Sequence, residues 1–165
     1  MAIPVPRRRY DHAMRELPAE VLTYLSNHYV MTLATCGPDG PWASAVFYAW
    51  TGDGLVFLSA PHTRHALNLA GDVRCAATIQ DDTADWKAVK GIQVEGQVLR
   101  LEGAAAILAR ERYSERHALV SPKAAIPPAI AEALAKIAWY RLVPTRMYFI
   151  DNARGFGHRD EWSAG

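Results

Sequence analysis

A chain of 165 residues, half of them hydrophobic, suits one compact domain with its own core and no need of a metal or disulfide. Its 18 Lys and Arg stand against 17 Asp and Glu, so no strong field recruits nucleic acid or an anionic membrane. Cys36 and Cys75 form no CxxC pair, which points to a reducing compartment, the cytoplasm, and no apolar run approaches a membrane span.

Residues 1–16 read as an N-terminal tail, with Pro4, Pro6 and Arg7 to Arg9 where a secretory apolar segment would stand. The arginines are read as a solvated terminus and given no function. Pro18 opens a helix to about residue 28, with Val21, Leu22 and Leu25 at helical spacing. From Tyr29 the period changes to two. Residues 30–35 read as a strand, Gly37-Pro38-Asp39-Gly40 as a turn, 42–50 as a second strand, Thr51-Gly52-Asp53-Gly54 as a turn and 55–59 as a third strand. Strands joined by tight turns make an antiparallel meander. A doubly wound parallel sheet would need crossover helices between them and is not expected.

A helix follows Pro61 and stops at Gly71; residues 73–80 form a fourth strand, 81–87 a polar loop and 88–101 a long fifth strand. Gln93, Glu95 and Gln97 share one face of that strand with Gly91, while Gly96 marks a bulge or a close approach. Residues 102–118 and 129–135 read as helical, and 139–143 and 146–150 as strands split by Pro144-Thr145. The pattern is mainly β: a small antiparallel barrel with flanking helices, one covering a barrel mouth. No repeat or linker divides it, so residues 1–165 are expected as a single domain with 151–165 as a C-terminal tail.

The stretch LVFLSAPHTRHALNL, residues 55–69, runs from an apolar strand into an amphipathic helix. A hydroxyl, a guanidinium and an imidazole, on Thr63, Arg64 and His65, sit where that helix begins. They make either a phosphate cradle, helped by free N–H groups and the helix dipole, or an ordinary corner whose charges face water. His62 and His65 share an HxxH spacing, but no third ligand lies at a recognisable distance, so no metal is expected. Cys36 and Cys75 lie in predicted strands and read as small core residues rather than nucleophiles.

Ser-Ala-Pro-His-Thr-Arg-His followed by Ala66-Leu67-Asn68-Leu69 resembles the flavin-phosphate segment of the pyridoxamine 5′-phosphate oxidase-like split barrels. The two preceding strands, the long strand GIQVEGQV and the order of elements fit as well. TRHA together with the late DN..GFG run is similar to the YhbP-like branch. The resemblance implies an antiparallel split β-barrel of the FMN-binding type, with FMN in a groove between two subunits of a homodimer. It implies that Ser44, Ala45, Val46, Phe47 and Tyr48 line the isoalloxazine edge with backbone and side chain, Leu58 and Ser59 flank the ribityl chain, Thr63, Arg64 and His65 hold the phosphate, and Gln93 approaches from the long strand. Trp42, Tyr48, Trp50 and Trp86 either stack on the flavin or cover a dimer interface, or else pack in the core or at its rim, and Phe156 between two glycines either covers the ring or belongs to a turn docking the C-terminus.

Two departures are specific. Ser44 stands where many members carry Arg, and His65 stands where Lys is usual, so the cradle's charge depends on pH near neutrality. No counterpart is found for the arginine and histidine that hold a pyridoxamine phosphate substrate, so that oxidation is not expected. The implied function is an FMN-dependent oxidoreductase acting on a small molecule, with NADH or NADPH as candidate donor and no assigned catalytic residue. The alternative is a non-catalytic flavin, haem or tetrapyrrole-binding module on the same barrel, and deazaflavin is a further ligand within the enzyme class.

Overall fold

The computed structural model describes residues 17–121 and 123–164, and the basic tail with Arg7 to Arg9 lies outside them. Helix α1 (Ala19–Asn27) follows Pro18, whose fixed φ suits a helix entry, and buries Val21, Tyr24 and Leu25. A hairpin joins β1 (Val30–Gly37) to β2 (Gly40–Phe47), with Gly40 at φ 88° in its turn. Then come β3 (Ala49–Trp50), β4 (Leu55–Ser59), α2 (Arg64–Gly71), β5 (Arg74–Gln80), β6 (Lys90–Leu101), α3 (Gly103–Ser114), α4 (Pro128–Ala135), β7 (Ala138–Asp151) and β8 (Arg159–Ser163).

Every strand pairing is antiparallel, in the order β2-β1-β5-β6-β7-β4-β3, with β8 added on β7. Strands β2 and β3 sit at opposite ends of that order, yet one residue, Tyr48, separates them in the chain. The sheet therefore curls back on itself into a split barrel. Leu25, Leu33, Phe57, Ile92, Leu142 and Phe149 are among the side chains filling its interior. A second apolar cluster lies under α3, where Val56, Leu101, Ala109 and Tyr113 meet.

Four features differ from the sequence reading. The strand expected over residues 42–50 breaks at Tyr48, whose N–H donates to the Tyr29 carbonyl as the chain leaves β2 and goes on in β3 to pair with β4. The strands expected on either side of Pro144 are one strand of 14 residues. Its register slips opposite Glu95 and Gly96, so proline sits where a ladder hydrogen bond is already interrupted. The tail expected over 151–165 instead supplies β8. Cys75 is buried as expected, but Cys36 is exposed because strand alternation turns it to the outer face.

Gly96 is required by close approach: a Cβ there would lie 2.2 Å from the Val143 carbonyl oxygen. Backbone cannot move aside as a flexible side chain can, so Gly96→Ala is expected to destabilise the fold by about 2 kcal/mol. Urea unfolding checks this, the expected result being a lower midpoint with unchanged slope.

Candidate functional site

Strand β4 ends at Ser59, and Ala60-Pro61-His62 carries the chain to Thr63, the N-cap of α2. The Ser59 and Thr63 hydroxyls are 2.9 Å apart, and His65 Nε2 lies 2.7 Å from Ser59 Oγ and 3.2 Å from Thr63 Oγ1. Thr63 also donates to the Ala60 carbonyl at 2.9 Å. Each hydroxyl has one proton, so the arrangement satisfying every member runs from His65 Nε2–H to Ser59, then to Thr63, then to that carbonyl. Thr63 is thereby diverted from capping, and its side chain makes no cap hydrogen bond to α2. Among the described residues nothing accepts from the N–H groups of the first turn, at the positive end of the helix.

Arg64 donates to the Asp39 carbonyl at 3.0 Å, and its guanidinium stacks 4.4 Å from the Trp42 ring centroid. It is thus held between the β1–β2 turn and the start of α2 without a carboxylate partner among the described residues. Asn68, buried on α2, donates to Thr35 Oγ1 at 3.1 Å and fixes the helix against β1. Gly37 makes room for it, since a Cβ there would lie 2.0 Å from Asn68 Oδ1. Burial holds the His65 pKa below its ordinary 6.5, so the ligand-free imidazole is neutral at neutral pH. Two rotatable hydroxyls, uncapped N–H groups, one permanent cation and one protonatable imidazole make a donor set that fits a phosphate dianion.

Strand alternation divides the other predicted residues. Ser44 and Val46 are half-buried, on the side of β2 that carries Trp42, while Ala45 and Phe47 are exposed on the outer face. Leu58 packs with the cluster under α3, on the opposite side of β4 from Ser59. Tyr48 is a correction. Its ring is fully buried and its hydroxyl donates to the Leu25 carbonyl at 2.8 Å, so the side chain belongs to the core and lines no ligand.

Gln93 is exposed on the outer face. The register places Ala45, Thr32, Thr78, Gln93 and Tyr148 in one row across five strands. Along that row lies a groove of about 310 Å³ lined by Thr32, Ala34, Ala76, Thr78, Gln93 and Tyr148, among others. The Thr63 corner is on the other side, because α2 packs where β1 presents Thr35. One chain therefore does not bring Gln93 to that corner.

Sequence reasoning missed Asn68, whose signal was a polar residue within the apolar stripe of α2, and the partnership of Arg64 with Trp42, which only the hairpin creates. The DN..GFG run proves largely structural. Asp151 is buried and pairs with Lys90 Nζ at 3.0 Å, while Asn152 donates to the Trp86 carbonyl at 2.8 Å and accepts from Gly157 N–H at 3.0 Å. Phe156 stands 85% exposed, edge-on to Trp86. Burial pushes the Cys75 thiol up to about 12, which removes it as a nucleophile. Among the described residues no group of three or more His, Cys, Asp or Glu could hold a metal ion. Nor is any helix among them long and apolar enough to cross a membrane.

The family model described as pyridoxamine 5′-phosphate oxidase matches residues 17–151. A UPF0306 protein of Photorhabdus laumondii is 32% identical over 141 residues, covering 84% of this chain and 90% of the relative. The UPF0306 protein YhbP of Escherichia coli O157:H7 is 26% identical, covering 86% and 90%. The chain belongs to the pyridoxamine 5′-phosphate oxidase-like superfamily, in its YhbP-like branch. The split-barrel fold of that superfamily recurs in a haem-binding protein from Mycobacterium smegmatis, with a TM-score of 0.68 and 24% identity. That match covers 97% of this chain but 60% of the other. A FAD-binding protein from Mesorhizobium loti matches with a TM-score of 0.60 and 17% identity, covering 89% and 95%.

The lowered His65 pKa has a definite sign. As pH falls through 6.5 the unfolded chain takes up this proton first, so the contribution is intact above that value and is lost as pH falls toward the folded pKa. NMR titration of the ligand-free protein is expected to show His65 titrating below 6.5, and His65→Gln to reduce the loss of stability on acidification.

Proposed function

We propose that the protein is an FMN-binding flavoprotein, an oxidoreductase working on a small molecule with NADH or NADPH as electron donor. The observation that carries this reading is the corner at the start of α2, where the Ser59 and Thr63 hydroxyls, His65 and uncapped N–H groups come together and Arg64 is held nearby against Trp42 without a carboxylate partner among the described residues. Thr63 and Ser59 would turn their hydroxyls toward the phosphate, Arg64 would neutralise one charge, and His65 would take up a proton at Nδ1. Bound flavin supplies the redox chemistry, while the chain binds it, orients the ring and excludes water.

A homodimer with the flavin between its subunits accounts for the division of the site. The corner and Gln93 face opposite sides of the sheet, so one ligand meets both only when two chains contribute. An exposed apolar patch supports such an interface: Ala34, Ala43, Ala45 and Ala76 lie exposed on one face of β1, β2 and β5, with Val30 44% and Phe47 57% exposed beside them. The second reading, a non-catalytic haem or tetrapyrrole module, draws on the fold shared with the Mycobacterium smegmatis protein.

The absorption spectrum of purified protein, before and after adding FMN, separates the readings. A flavin spectrum whose chromophore is reduced by NADH or NADPH is expected. A protein that ignores FMN and takes up haem overturns the proposal, and a bound flavin that no donor reduces leaves only a carrier. Arg64→Ala should lower FMN affinity at least about tenfold while thermal unfolding is unchanged. The bound phosphate favours the imidazolium, so FMN affinity is expected to fall as pH rises between about 6 and 9, and this slope to flatten in His65→Gln.

A further inference from the structure

The outer-face groove has an ordered edge that the corner does not explain. Arg159, on β8, reaches across β7 and donates from Nη2 to Gln93 Oε1 at 3.2 Å. Its guanidinium lies 4.9 Å from the centroid of the Tyr148 ring on the way. The neighbouring arginine, Arg146, is occupied differently, at 3.9 Å from Glu95 and 3.2 Å from Glu161. Arg159 has no carboxylate within ion-pair distance among the described residues, so what holds it is the Gln93 amide and the tyrosine face.

A guanidinium has only donors, so the Gln93 atom facing it must be the carbonyl oxygen. That removes the ambiguity of an amide side chain. The carbonyl is turned toward Arg159, and the NH₂ group is left to donate elsewhere. Gln93 itself lines the groove together with Thr32, Thr78 and Ala76. The geometry points to Arg159 as a positioning residue that locks Gln93 with its amide donors presented to the groove, to meet the hydrogen-bond-accepting edge of a planar heterocycle. Small side chains on the floor leave room for a flat ring, and Gln93 supplies the directional contact. This rests on the flavin reading, in which that edge belongs to the isoalloxazine ring. It also sets a discrimination, since a ring without acceptors at its edge gains nothing from the fixed NH₂.

The test is a double-mutant cycle on the full chain with Arg159→Met and Gln93→Leu, titrated with FMN and with riboflavin, which has the ring but no phosphate. Arg159→Met is expected to weaken both ligands about fivefold and to shift the visible absorption and midpoint potential of the bound flavin. In the Gln93→Leu background the same change should have no further effect, and Arg159→Lys should restore part of the loss. An equal effect of Arg159→Met in both backgrounds, or none in either, overturns the proposal. A readout without ligand separates it from the flavin reading: the Gln93 side-chain amide resonances of the free protein should move in Arg159→Met and not in Arg146→Met. Unmoved resonances reject the role of Arg159 alone. Resonances that respond as expected in a protein that takes up neither flavin uphold the fixed amide and reject the flavin reading.

Discussion

Everything in this barrel depends on Tyr48. The residue stands alone between a strand at one edge of the sheet and a strand at the other, and its three polar groups are all engaged. Its N–H donates to the Tyr29 carbonyl, its carbonyl accepts from His117 Nε2 at 2.8 Å and its hydroxyl donates to the Leu25 carbonyl. A single buried aromatic thereby joins α1, the start of β1 and the turn after α3 to the seam where the sheet closes. Burial pushes its phenol pKa up, so the hydroxyl stays a donor across the physiological range. Closure at that point brings β2 beside β4, which places Trp42 and the β1–β2 turn against the start of α2.

That closure has an electrostatic consequence. Arg64 is oriented by a tryptophan face and a carbonyl, neither of which cancels its charge. His65 is held neutral by burial until something anionic arrives. In the proposed flavin site the corner would offer one permanent charge and one recruited by the bound phosphate, so that binding and proton uptake would be linked. On the other side of the sheet the logic differs: small side chains and one fixed amide offer shape and direction with little net charge.

Much of the fold was legible because its signals are local. Alternation in β1 and β5, glycine turns at Gly40 and Gly52, and Pro18 ahead of α1 each act within a few residues. The break at Tyr48 was not legible, since Trp42 to Trp50 reads as unbroken β-propensity and only the return to β4 makes a corner necessary. Pro144 misled for the opposite reason: a residue that ends most strands is absorbed by a bulge whose other half, Gly96, lies 48 positions away. At the site, Thr63 and His65 lie within reach of each other and of Ser59, while Arg64 turns to Trp42 and the Asp39 carbonyl. Adjacency in sequence misassigned the Tyr48 side chain, because the strand breaks there and the ring turns into the core to reach the Leu25 carbonyl.

The central claim is that the corner of one chain and the outer face of another make one flavin site. Subunit complementation tests it most directly. Arg64→Ala damages only the corner and Gln93→Ala only the outer face, so each homodimer should bind FMN weakly. When the two variants are unfolded together, refolded as a mixture and titrated, a fraction of sites with wild-type affinity is predicted, arising from mixed dimers that pair an intact corner with an intact face. A mixture that binds no more tightly than its two components would contradict a site shared between chains.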